Sequence, residues 1–132
     1  MRLLSPRPTG AAQALFSPAC RQAARISFHV GVEHLVLVCA IQGAVAVDPD
    51  EIRDRIVDDE RTALASLGIS LDVVRAELGP ALDDPGCLPV TPEAKRILEL
   101  ASRRRRRVTA EQLLETLRGH SATARRLLDE AR

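Results

Sequence analysis

Two stretches of the chain share one short pattern. Gly31-Val32-Glu33-His34-Leu35 is a brief polar start that runs straight into an apolar segment ending at Ile41. Thr109-Ala110-Glu111-Gln112-Leu113-Leu114 is a weaker version of it near the other end. A local pattern that occurs twice points to an internal duplication, and a repeat governs architecture before any other signal does. A chain of 132 residues has room for one compact domain or two small fused repeats. Aromatic residues are only 2% of it, against 45% hydrophobic residues overall, so the core is aliphatic. Leu, Val, Ile and Ala favour helix packed on helix over a sheet-rich fold. The same scarcity removes the stacking surface of an RNA-binding domain. A net charge of +1 creates no global field toward nucleic acid or membrane.

Cys20, Cys39 and Cys87 are odd in number and widely spaced, which fits free thiols in a reducing cytosol. Cys39 lies in the apolar run and is expected to be buried. Met1–Leu4 is too short for a signal peptide. Leu35–Ile41, the longest apolar segment, falls far below the roughly 20 residues of a membrane span. The expectation is a soluble, cytoplasmic protein.

The punctuation along the chain predicts helices throughout. Residues 1–15 carry Pro6, Pro8 and Gly10 and read as a flexible segment, with a helix over Ala11–Phe16 as the alternative. Ser17-Pro18 reads as a cap and first helical residue, opening a helix to about Ile26. Gly31 caps the next, which buries Leu35, Val38 and Cys39 and stops near Gly43. Asp48-Pro49-Asp50-Glu51 is a stronger start. Its helix carries Ile52, Ile56, Ala63, Leu64 and Leu67, and Gly68 ends it. Ser70 caps Leu71–Leu82, and the turn-rich stretch 83–89 is the best internal boundary. Thr91-Pro92-Glu93 opens a helix with the stripe Ala94, Ile97, Leu98 and Ala101. Thr109 and Gln112 form a capping box before Leu113, Leu114 and Leu117. Gly119 breaks that helix, and Ser121 caps a last one that buries Ala124, Leu127 and Leu128. The Ala44–Val47 alternation is too short for a strand. The fold class is all-α.

In series, these segments resemble the amino-terminal domain of the Clp family of AAA+ unfoldases, especially the ClpC/ClpA type. That domain is two copies of a four-helix repeat. Phe16-Ser17-Pro18 resembles the family's phenylalanine-threonine-proline start, and Gly31–Leu35 its GTEH segment. Ala63–Leu71 is similar to its leucine-glycine turn, Val90–Ala101 to the second start, and Thr109–Leu114 to a weakened second GTEH segment. The resemblance implies a first repeat over 16–82, a linker over 83–89 and a shortened second repeat over 90–132. There are departures. Gln42–Asp59 holds an apparent insertion, the second repeat lacks residues between Arg107 and Thr109, and Val32 and Ala110 stand where the family has threonine.

The sequence holds no G-x-x-x-x-G-K-[ST] phosphate loop, and Lys95, the sole lysine, lacks the glycines that would precede it. A chain of this kind keeps only the family's binding role. The resemblance implies a non-catalytic protein- or peptide-binding module, acting as adaptor, substrate receptor or decoy in Clp-dependent proteolysis. Its partners would be protein substrates, unfoldase components or a small-molecule or peptide ligand. In ClpC-type domains the glutamate of each GTEH segment resembles a receptor for arginine-phosphorylated substrates: the carboxylate pairs with the guanidinium and the helix start holds the phosphate. Carried over, this singles out Glu33 and Glu111, with Gly31 and His34 beside the first, and a binding surface between the repeats. The plain alternative for Glu33 is helix-dipole complementarity, about 0.3–1 kcal/mol. His34 reads as a packing histidine. No catalytic set, metal site or cofactor is expected, since His29, His34 and Cys39 lack a convincing ligand spacing. The competing function is a small helical nucleic-acid-binding or regulatory protein that uses Arg103–Arg107, read as an extension of the preceding helix, with Thr109–Glu130 imitating a helix-turn-helix. The mixed charges of Arg125, Arg126, Asp129 and Glu130 suit a phosphate backbone poorly.

Overall fold

The computed structural model describes residues 10–84 and 88–131. Among the described residues seven α-helices succeed one another: α1 Gln13–Ile26, α2 Val32–Ile41, α3 Pro49–Ala65, α4 Leu71–Leu78, α5 Pro92–Ser102, α6 Ala110–His120 and α7 Ala122–Glu130. Short 3-10 turns at Gly10–Ala12 and Gly79–Asp83 complete the order. The described residues contain no strand, only one isolated parallel bridge between Val30 and Val90. The all-α expectation holds. No described helix is long and apolar enough to cross a membrane.

The apolar run Leu35–Ile41 becomes the axis of the molecule. Every residue from His34 to Ala40 in α2 is buried, and the helix packs against α1, α3, α5, α6 and α7. An apolar stretch with no polar face can only sit inside. Around it the amphipathic helices turn one stripe inward. Ala94, Ile97, Leu98 and Ala101 of α5 are fully buried, as are Leu113 and Leu117 of α6. Both halves of the chain feed one continuous core.

Two backbone connections tie distant segments together. The Val30 amide donates to the Pro89 carbonyl at 2.8 Å, and the Thr91 amide donates to the Val30 carbonyl at 2.9 Å. At the other end the Val108 amide donates to the Ala11 carbonyl at 2.8 Å. The segment before α2 is thus held to the segment before α5, and the segment before α6 to the segment before α1.

Several boundaries differ from expectation. Ser17-Pro18 does not start α1; the helix begins at Gln13 and carries Pro18 inside it. Pro18 leaves the Ala14 carbonyl without its helical donor, and an interior proline costs about 3 kcal/mol. Burying Leu15 and Phe16, each 2% exposed, offsets that at roughly 1.5–3 kcal/mol per side chain. In α3 only Ile52 and Ile56 are buried. Ala63 is exposed and Leu64 half-buried, and Leu67 is exposed, because the last turns of α3 project beyond the core. The turn after α3 does require its glycine. Gly68 has φ +75, and the Ile69 amide reaches back to the Leu64 carbonyl at 2.9 Å, a Schellman closure.

The helix after Ser70 ends at Leu78 rather than Leu82, because Pro80 has no amide to continue the ladder. Gly119 does not break α6, which runs to His120. Ser121 closes α6 and caps α7, accepting from the Ala124 amide at 3.1 Å. One shared residue is too short for the three- or four-residue turn of a helix-turn-helix. Arg103–Arg107 do not prolong α5, which ends at Ser102. Arg104 adopts φ 60, and the Arg105 guanidinium folds back onto the Ala101 carbonyl at 2.7 Å. Cys20 and Cys39 are buried; Cys87 lies outside the described residues.

Candidate functional site

The start of α2 assembles a polar cluster that its own spacing does not reveal. Gly31 is the N-cap, and its amide donates to His34 Nδ1 at 2.9 Å. An imidazole nitrogen that accepts carries no proton, so the His34 proton lies on Nε2. From there it is donated to Ser27 Oγ at 2.8 Å. The Ser27 hydroxyl in turn donates to Glu60 Oε1 on α3. Burial lowers the His34 pKa to about 4, against the opposing pull of Glu33, which keeps the ring neutral near pH 7.

This fixed direction of donation decides what Ser27 and His34 can do. A serine nucleophile needs the histidine to accept its proton. Here His34 is the donor, the Ser27 proton is committed to Glu60, and both side chains have 0% exposure. The pair is a buried structural relay.

Glu33 lies in the first turn of α2 and folds back over Gly31. A Cβ added at Gly31 would stand 2.3 Å from Glu33 Oε1, so only glycine leaves this space to the carboxylate. Glu33 Oε1 is 3.1 Å from His29 Nε2 and 3.5 Å from His34 Nδ1. Burial pushes the Glu33 carboxyl up, but the His29 hydrogen bond, the two histidines and its own backbone amide outweigh it, and the net direction is down. The side chain is 20% exposed. An ionised carboxylate thus occupies the helix start, where free amides favour an anion.

His29 and Glu60 complete the cluster. Burial lowers the His29 pKa, yet the hydrogen bond to Glu33 and the charges of Glu33 and Glu60 reverse this, and the result is a rise. Glu60 is pushed up, first by burial and also by Glu33, against the Ser27 hydrogen bond. His29 Nδ1 and Glu60 Oε2 are buried without a hydrogen-bond partner. Arg75 of α4 donates to the Ala24 and Ser27 carbonyls at the end of α1. It also lines, with Arg21 and Arg25, an open cleft of about 480 Å³.

Gly31, Glu33 and His34 therefore come together as the sequence suggests, but Glu111 does not join them. Glu111 is exposed on the first turn of α6. The Cys39 thiol lies 3.5 Å from the Ala110 carbonyl, which sets the start of α6 against the far end of α2. Six helical residues, about 9 Å of rise, separate Cys39 from Glu33. Sequence reasoning missed Ser27, Glu60 and Arg75. One signal for Glu60 existed: it continues the Ile52–Ile56 spacing onto the buried face of α3.

No protein-family model, curated protein or solved structure matches the chain.

Proposed function

We propose that the chain is a non-catalytic protein-binding module of the Clp amino-terminal type. It serves as a substrate receptor or decoy in Clp-dependent proteolysis, and Glu33 is the acceptor for an arginine side chain of the bound protein. One observation carries this reading: an ionised, partly exposed carboxylate stands at the start of α2, and Arg75, which donates to the Ser27 carbonyl of the preceding segment, lines a cleft with Arg21 and Arg25. A carboxylate and a separate group of arginines suit a ligand that carries both a guanidinium and a phosphoryl group. Val32 and Ala110 lack the hydroxyl of the family's threonine, and Arg21 and Arg25 supply phosphate-binding charge in its place. The reading of a doubled chain draws on the backbone bonds of Val30 with Pro89 and Thr91, which link the segments before α2 and α5, and of Val108 with Ala11, which link those before α6 and α1.

The nucleic-acid reading has less behind it. The arginine run sits on an irregular loop with one guanidinium turned back onto α5, and α7 spends Arg125 and Arg126 on the Arg118 carbonyl, Glu130 and Asp59.

The test is equilibrium binding of an unfolded protein, with and without arginine phosphorylation. Wild type is expected to prefer the phosphorylated form. Glu33→Gln should weaken binding about tenfold or more, equivalent to about 1.4 kcal/mol. Arg21→Gln with Arg25→Gln should abolish the preference. Equal binding by wild type and Glu33→Gln contradicts the reading. So does salt-steep DNA retention that is lost when Arg103–Arg107 become Gln.

A further inference from the structure

We propose that His29, Glu33 and Glu60 form a binding site for a divalent transition-metal cation of the zinc class. One nitrogen of His29 and one oxygen from each carboxylate lie within 4.8 Å of one another. Ligand atoms on a tetrahedral ion with bonds near 2.0–2.1 Å stand about 3.3 Å apart. Side-chain movements of about 1.5 Å or less therefore close the cluster around an ion.

Three observations favour a cation over a purely structural cluster. First, His29 Nδ1 and Glu60 Oε2 are buried with no hydrogen-bond partner. Buried polar atoms normally find one, and a metal ion would satisfy groups that folding leaves unsatisfied. Second, two carboxylates are gathered with no guanidinium bonded to either among the described residues; Arg75, whose charge reaches Glu60, donates instead to the Ala24 and Ser27 carbonyls. Third, Glu60 is aimed by a supporting layer. Its Oε1 accepts from Ser27, and Ser27 is held by His34. This is the outer arrangement that fixes a ligating carboxylate. His34 itself is excluded as a ligand, because Nδ1 is taken by the Gly31 amide and Nε2 by Ser27.

The donor set of one imidazole and two carboxylates selects the metal class. Imidazole favours zinc, iron, nickel and copper over magnesium and calcium, while two hard oxygens and the absence of thiolate disfavour copper(I). Three protein ligands leave at least one position for water or a ligand atom. The site shares Glu33 with the receptor reading above but does not depend on it.

The test is titration of the metal-free full chain with cobalt(II), monitored by visible absorption, and then displacement by zinc. One equivalent of cobalt is expected to give the intense bands of a four- or five-coordinate ion. His29→Gln and Glu60→Gln should each weaken uptake about 10–100-fold, with far-ultraviolet circular dichroism reporting that the variants remain helical. Cys87→Ser should leave uptake intact. Absence of saturable uptake by wild type overturns the proposal. So does undiminished uptake by both helical variants, or loss of uptake in Cys87→Ser. Because the readout is the metal spectrum, failure of arginine-phosphate binding leaves this result unaffected.

Discussion

The starts of α2 and α6 solve the same local problem with different residues. In each, the amide of the N-cap residue donates to the side chain three positions on: Gly31 to His34 at 2.9 Å, and Thr109 to Gln112 at 3.0 Å. His34 thus takes the place at α2 that Gln112 takes at α6. The two part ways at the second bond of the box. At α6 the box is closed by the Thr109 hydroxyl, which accepts from the Gln112 amide at 3.1 Å, and Glu111 points to solvent. At α2 there is no capping hydroxyl, and the Glu33 carboxylate folds into the space over Gly31. A self-sufficient cap leaves its acid idle; an incomplete one draws its acid inward, next to two histidines.

The same contrast runs along the two helices. Leu37 of α2 is fully buried, while Glu115, its counterpart in α6, is exposed. Exchanging these characters gives the largest expected effect. Leu37→Glu should destabilise by more than about 4 kcal/mol, since it buries an unpaired charge. Glu115→Leu should stay within about 0.5 kcal/mol. Paired denaturant melts check both, and similar costs would erase the distinction between a central and a peripheral helix.

Next in size is an acid effect that belongs to the start of α2. His34 is held near pKa 4 in the folded state against its ordinary 6.5. Between these values the unfolded chain binds the proton and the folded one does not, so stability falls as pH drops from 6.5 toward 4. The loss amounts to about 3 kcal/mol. Neighbouring groups also titrate. The raised His29 contributes stability that disappears as pH rises through its folded pKa. The lowered Glu33 contributes stability lost only in stronger acid, and the raised Glu60 opposes Glu33 in sign. Comparing wild type with His34→Gln isolates the histidine: the stability difference between them should shrink steadily from pH 7 to pH 4. A pH-independent difference would mean that His34 is not held neutral.

Smaller effects separate capping from recognition. Thr109→Ala should cost about 1 kcal/mol and leave binding untouched. Gly31→Ala is the sharper tool. Its new methyl would collide only with the flexible end of Glu33, so melting should move little while arginine-phosphate binding falls as in Glu33→Gln. If Gly31→Ala binds normally, the folded-back carboxylate plays no part.

Much of the fold was legible in the sequence where a helix carries its own instructions. The stripe of α5, the Thr109–Gln112 box and the Asp48 cap, which accepts from the Asp50 amide at 3.0 Å, are local features. They survive because packing and propensity agree there. Pro18 misled because its local meaning was overruled by the burial of Leu15 and Phe16. The end of α3 misled because Ala63, Leu64 and Leu67 keep an apolar spacing that reaches no partner, leaving Leu67, Ile69 and Val73 exposed. Of the candidate site, the half built on Gly31–His34 was readable as a helix start. Ser27, Glu60 and Arg75 arrive from three other turns of chain, and only packing brings them together.

On the proposed reading the two helix starts divide the labour: the first recognises a ligand, and the second only caps a helix. Amide chemical-shift mapping with free phosphoarginine tests this division directly. Saturable shifts are expected at Ser27–His34, Glu60 and Arg75, with Thr109–Gln112 unmoved. Shifts centred on Thr109–Gln112, or none at either helix start, would contradict it.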